Sequence, residues 1–423
     1  MRRTLTSLVT LLFLFSIVLT ACSSSENSSV KDFNNGNTVT LKMYSWRTQD
    51  KDGYEKIIAQ FENEHPNIKI DFEPFESTEY NNIVNNALVS GTGPDIIQLR
   101  PYDKSIPDNG DLVALDDLKG MENISDEFKN AAKGSDGKIY GMPLSLNNAV
   151  IFYNKDLFSN NNIPVPTTWE KLIEASKKLK DKGIVPIAQS GKAAYLLSLL
   201  HSVIGPSAYG GNDFVNAILK GKTNFKDQKF VESVKRMKEL SKYFPKDFVG
   251  ITDDDAKALF YTGKAGMYIN GDYRLEEFKE ENPDLPIGVV PGLALEDGGK
   301  PLVTTWVDGS YAIVKASKHQ KEAKVFMEYL ASKEFGQLFT DTFNRVSAIN
   351  GVAPKDPIIK EIAEANEANS TPYLLLVNFS QGTPTTKTTF ENALQGLYVK
   401  KATVDDVIQQ TQDATDKWFK PTK

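Results

Sequence analysis

Residues 39–99 read VTLKMYSWRTQDKDGYEKIIAQFENEHPNIKIDFEPFESTEYNNIVNNALVSGTGPDIIQL. Val39, Leu41 and Met43 alternate with polar neighbours, which predicts a strand over Val39–Tyr44. Ile57, Ile58 and Phe61 share one face of a predicted helix, Tyr54–Asn63. His65-Pro66 stops that helix, because the proline ring disfavours a helical residue before it. Ile68–Phe72 reads as a second strand. Tyr80, Ile83, Val84, Ala87 and Leu88 recur at helical spacing within Thr78–Ser90. Gly91-Thr92-Gly93-Pro94 breaks this helix, and Ile96–Leu99 makes a third strand. Strand, helix, strand, helix, strand over this length predicts a parallel sheet with covering helices. Ligands of such sheets sit beyond the carboxyl ends of the strands, here Ser45-Trp46-Arg47 and Arg100-Pro101-Tyr102-Asp103.

A second α/β region begins near Asn148. Val150–Tyr153 reads as a strand, followed by a helix over Thr168–Lys182 that a Thr167/Glu170 capping box would open. Helices are expected at Ala193–Ile204, Asp213–Lys220, Gln228–Tyr243 and Asp253–Thr262, and strands at Ala265–Asn270, Ile287–Val290 and Tyr311–Val314. From Gln320 the pattern is mainly helical, closing with an amphipathic segment over Val404–Trp418.

The 423 residues suggest at least two lobes, and 40% hydrophobic with 25% charged residues is a globular composition. A net charge of −6 repels phosphate backbones, so nucleic acid is not an expected partner. Arg2 and Arg3 precede an apolar run, Leu8–Leu19, too short for a comfortable membrane span but suited to a secretory signal over residues 1–21. It ends in Leu19-Thr20-Ala21-Cys22, which resembles the lipobox of bacterial lipoproteins. Cys22, the single cysteine, would then carry a lipid, palmitate included, and hold the protein on the outer face of the cell membrane. The Ser- and Asn-rich stretch 22–38 reads as a tether.

Several stretches in order resemble the bacterial extracellular solute-binding proteins of the maltose-binding type, family 1. They are Leu41–Trp46, Ser90–Ile97, Gly137–Pro143, Tyr153–Phe158, Pro166–Trp169 and Gly263–Tyr273. The resemblance implies a two-lobed, type II periplasmic-binding-protein-like α/β fold. Each lobe would be a mixed sheet flanked by helices, with one lobe from 39–147 plus 305–349 and the other from 148–304 plus 350–423. It also implies a monomer that captures a sugar-like ligand by hinge closure and delivers it to the permease of an ABC importer, without catalysis, cofactor or metal.

A sugar offers C–H faces that stack on aromatic rings and hydroxyls that both donate and accept hydrogen bonds. A site for one needs aromatic plates and planar polar groups. Trp46, Tyr273 and Trp306 are candidate plates; Arg100, Asp103, Asn147, Asn270, Asp272 and Asp308 are candidate polar contacts. Trp306 falls in Thr304–Ser310, a polar stretch that favours ligand contact over burial. Asn147 and Tyr273 depart from the acid and the tryptophan of the maltose-binding protein, which keeps a sugar site but argues against maltose itself. The acidic candidates Asp103, Asp272 and Asp308 leave room for a ligand carrying an amine, and a non-sugar solute such as a glycosylamine or polyol is the alternative. A secreted hydrolase is the main rival, but no acid–base pair is isolated in the sequence. His65, His201 and His319 are far apart, which argues against a triad or a metal site.

Overall fold

The computed structural model describes residues 38–421. The expected signal, Cys22 and the tether through Asn37 lie outside the described residues. The strands, in chain order, are β1 (Val39–Ser45), β2 (Ile68–Pro74), β3 (Ile96–Leu99), β4 (Met142–Pro143), β5 (Ser145–Asn154) and β6 (Val185–Ile187). They continue as β7 (Ala265–Gly271), β8 (Ile287–Val290), β9 (Val303–Val307), β10 (Ser310–Ile313), β11 (Val346–Ser347) and β12 (Ser370–Pro372).

Among the described residues these strands form two sheets. The first runs β2-β1-β3-β10-β4. Its β1 is parallel to β2 and β3, while β10 is antiparallel to β3 and β4. The helices Lys51–Glu64 and Tyr80–Ser90 connect the parallel strands. Tyr54, Ile57, Ile58 and Phe61 of the former bury against Leu41, Met43 and Ile96. The second sheet runs β12-β9-β5-β7-β6, with β8 and β11 also paired to β5. A larger core sits on it, gathering Leu172, Leu200, Phe230, Met267 and Phe390. His201 belongs to this core, bonded to the Ser233 hydroxyl at 2.8 Å. Burial pushes its imidazole down to about 3, so it is a neutral structural group.

The fold is the two-sheet α/β architecture expected. The strands β4, β6, β11 and β12 are not legible in the sequence, because two or three residues carry too little periodicity, and β9 is hidden by its polar Thr304 and Thr305, which read as loop. The helix Trp169–Asp181 is capped by Thr168, which accepts from the Lys171 amide, rather than by Thr167. The second sheet takes β5 from Ser145 and β9 through Val307. Divisions at 147/148 and 304/305 would therefore cut both strands, and the chain passes between sheets at Leu144, at Asp308-Gly309 and again between β10 and β11.

This topology positions the site. Trp46 and Arg100 follow the carboxyl ends of β1 and β3. The pairing of β5 with β9 sets Asn147 opposite Trp306, and its pairing with β7 sets Ala149 opposite Gly271, one residue before Asp272.

Candidate ligand-binding site

Five ionic side chains converge where the chain crosses between the sheets. Arg345 holds Asp50 through two parallel hydrogen bonds of 2.7 Å, the planar fork of a guanidinium matched to a carboxylate. Arg47 lies 3.8 Å from the same carboxylate and also pairs with Asp308. Asn147 donates to Asp308 at 2.6 Å, and Asn148 donates to Asp272 at 2.7 Å. All five ionic groups are buried. Burial alone would push the Asp50 carboxyl up; Arg345, by charge and hydrogen bond, and Arg47 hold it below the usual range. Asp272 has weaker support: burial raises its carboxyl to about 6 despite the Asn148 amide and the nearby Arg345 charge.

Buried polar atoms are normally hydrogen-bonded, and each one left without a partner costs about 1–3 kcal/mol. At this crossing Arg47 Nε, Ser145 Oγ, Asn147 Oδ1, Asn148 Oδ1, Asp272 Oδ1, Ser310 Oγ and Arg345 Nε are buried without a hydrogen bond. They form a mixed set of donors and acceptors at strand ends of both sheets. A hydroxyl-bearing guest, which donates and accepts at once, matches such a set.

Aromatic rings border this polar centre. Tyr273 donates to Asn270 Oδ1 at 2.9 Å and lies between two guanidinium groups, Arg47 at 5.8 Å and Arg274 at 5.3 Å from its ring centre. Arg274 is held by Asp253 at 2.6 Å and Glu277 at 2.8 Å. Asn270 also accepts from the Gly271 amide and donates to Tyr268, so it is committed to shaping the loop under Tyr273. Gly271 is required here: a Cβ would stand 2.0 Å from the Tyr273 ring.

Trp306 is on β9, not in a loop. It is 8% exposed and meets Tyr373 edge-on at 5.4 Å, since β9 carries it between β5 and β12. Trp46 is 7% exposed and sits edge-on to Tyr80 at 5.3 Å. The Arg100 guanidinium lies over it at 4.1 Å. Arg100 does not pair with Asp103: it donates to Ser77 and Asn81, while Asp103 accepts from the Ser105 amide and hydroxyl. These two therefore stand apart from the ionic centre, although Arg100 and Arg47 feel each other's charge. In the 379–389 region, Phe379 is buried in the core and Thr385 caps the helix Thr386–Tyr398.

Gly309 makes the crossing itself possible. Its φ of +121° favours glycine, and a Cβ there would meet the Trp46 ring at 2.6 Å and the Leu99 carbonyl at 2.9 Å. Gly309→Ala should lower stability by about 1–3 kcal/mol through strain and overpacking. Urea unfolding would measure it, and an unchanged midpoint would contradict the close packing of Trp46 on Gly309.

Several residues of this region are absent from the sequence candidates. Arg47 stands beside Trp46 without a distinguishing pattern, and Arg345 carries no local signal. Tyr195, 42% exposed at the start of the helix Tyr195–Ile204, is close enough to Arg274, Arg100 and Asp253 for their charges to act on its hydroxyl. Tyr373 joins Ser198 at 2.6 Å, and Ser198 bonds Glu391, itself paired with Lys387. The helical pattern marks Tyr195 only as a residue near a helix end.

Residues 44–337 match the family model described as bacterial extracellular solute-binding protein. The Multiple sugar-binding protein of Streptococcus mutans is 26% identical over 82% of this chain and 84% of its own length. The Melibiose/raffinose/stachyose-binding protein MelE of Bacillus subtilis is 23% identical over 76% of each. A solved structure from work on xylan utilisation by Caldanaerobius polysaccharolyticus is 25% identical with a TM-score of 0.75, covering 89% of this chain and 99% of that one. With a family model spanning well over half of its residues and two sheets joined by crossing strands, the chain belongs to the bacterial extracellular solute-binding proteins.

Proposed function

We propose that the protein is the capture component of an ABC importer, binding a carbohydrate at the crossing between its two sheets. The observation that carries this reading is the set of buried donors and acceptors left without partners around Asn147, Asn148, Asp272 and Arg47, bordered by Tyr273 and Tyr195. Hydroxyls would satisfy the polar atoms while C–H faces stack on the rings. The names of the relatives, which are sugar-binding proteins, support the same class.

Two lobes, divided at Leu144, at Asp308-Gly309 and between β10 and β11, would close about the ligand. Closure needs contacts from both sides to favour the closed form, and Arg47 facing Tyr273 offers such a pair. The Leu19–Cys22 stretch supports lipid anchoring through Cys22 on the extracytoplasmic face, with delivery to a permease.

A thermal-shift screen across mono- and oligosaccharides tests the reading. A ligand at a hundred times its Kd stabilises a folded protein by about 2.7 kcal/mol, so one class of carbohydrate should raise the melting temperature by several degrees. Tyr273→Ala and Tyr195→Ala should each weaken that ligand about tenfold, or ~1.4 kcal/mol. A panel in which no carbohydrate shifts the melt would sink the proposal.

A further inference from the structure

Resting on that reading, we propose that Arg100 anchors a carboxylate on the bound sugar, so that the site selects oligosaccharides containing a uronic acid. Counter-ions set this arginine apart. Arg47 is paired with Asp308 and lies beside Asp50; Arg345 grips Asp50; Arg274 holds Asp253 and Glu277; Arg236 lies 3.9 Å from Glu232. Among the described residues Arg100 differs. Its Nη2 donates to the Ser77 carbonyl at 2.6 Å and hydroxyl at 3.1 Å, and its Nε donates to Asn81 Oδ1 at 3.1 Å. Those acceptors are neutral, and Nη1 makes no hydrogen bond to the described residues.

The group is also preorganised. Its plane rests on Trp46 at 4.1 Å and lies 5.6 Å from the Tyr80 ring. Two rings and three hydrogen bonds thus hold the guanidinium before a ligand arrives, so little side-chain freedom is lost on binding. Those bonds occupy Nε and Nη2, which leaves Nη1 as the donor toward a carboxylate. Beside it lies a notch of about 60 Å³ whose polar wall is Asn81, Asn85, Asp103 and Ser105 and whose apolar wall includes Val84 and Ile106. A water needs about 10–15 Å³ of such space, so the notch has room for a small polar group. Asp103 is the carboxylate in this notch, and its Oδ1 already accepts both bonds from Ser105.

The electrostatics agree. Burial, with repulsion from Arg47 added, pulls the Arg100 guanidinium down to about 10, while Tyr80, Asp103 and Tyr195 act in the opposite sense. A partly desolvated cation without a carboxylate partner gains from an anion delivered by the ligand. Arg100 also lies just past the end of β3, near enough to Arg47 and Tyr195 for their charges to act on it, so the acidic residue of the bound sugar would extend from the crossing toward it.

Competition binding tests this with neutral xylo- and galacto-oligosaccharides against oligogalacturonides and glucuronate-substituted xylo-oligosaccharides of equal length. The acidic sugars should bind at least tenfold tighter at low salt. Arg100→Gln should reduce that ratio to within about twofold. Arg100→Lys, which keeps the charge but loses the flat stack on Trp46, should retain part of it. Equal affinity for neutral and acidic sugars, or a preference unchanged in both variants, overturns the proposal while leaving carbohydrate capture intact. Failure of every carbohydrate to bind overturns the underlying reading as well.

Discussion

Arg345→Met should destabilise the protein by about 3–5 kcal/mol, the effect typical of removing one partner from a buried ion pair. The substitution keeps much of the side-chain bulk and removes the fork that holds Asp50 through two 2.7 Å bonds. Asp50 would keep only Arg47, 3.8 Å away, as a partner in a region almost without solvent contact. The loss would spread, because Arg47 also pairs with Asp308, and Asp308 accepts from Asn147. Adding Asp50→Asn removes the stranded charge, so the double variant should regain at least half of the lost stability. Urea midpoints for the two single variants, the double variant and the parent form a double-mutant cycle. If the double variant were as unstable as the sum of the single ones, Asp50 and Arg345 would not be coupled and the network would not hold.

Asp272→Asn should have the opposite sign at neutral pH. The Asp272 carboxyl is raised from 3.8 to about 6, so the folded state binds a proton there that the unfolded state has already released. Stability from that proton is complete below pH 3.8 and is lost as pH rises through 6. With each pKa unit worth about 1.36 kcal/mol, the charged carboxylate lowers stability at pH 7–8 by on the order of 2–3 kcal/mol. Asparagine is neutral, keeps an oxygen to accept from Asn148, and should recover that amount. The gain should vanish near pH 4, where Asp272 is already protonated. Unfolding measured from pH 4 to pH 8 would display the difference. A variant less stable than the parent at pH 8 would mean that the carboxylate is well paired after all.

Arg345 and Asp272 stand on opposite sides of one balance. Arg47 and Arg345 carry two positive charges, and Asp50 and Asp308 carry two negative ones. Asp272 is a fifth group that burial drives toward neutrality. Sites that bind ligands commonly retain groups that reduce stability, and Asp272 Oδ1, fully buried without a hydrogen bond, fits that pattern. Tyr273 and Tyr195 then give the polar centre its aromatic border.

Much of the candidate site is legible in the sequence. Asn147, Asp272, Tyr273 and Asp308 do gather at the crossing: the last three follow the ends of β7 and β9, and Asn147 lies in the first part of β5, opposite Trp306. Trp46 and Arg100 also follow strands, yet they stack on each other, a contact that nothing within either segment foretells. Trp306 misleads for a definite reason. Its polar neighbours Thr304, Thr305 and Asp308 suggest a loop, whereas cross-strand pairing with Asn147 and contact with Tyr373 draw it inward. Tyr195 escapes notice because a helix start within an apolar run looks like core.

The amino-acid order alone settled the alternation of strand and helix across residues 39–99, and with it the sheet and the ends where a ligand could bind. Periodicity is a local property, complete within each segment. Which charges meet was decided only by the tertiary structure. Asp50 and Arg345 are 295 positions apart, and ionic attraction in a region removed from water depends on distance in space, which a linear chain does not display.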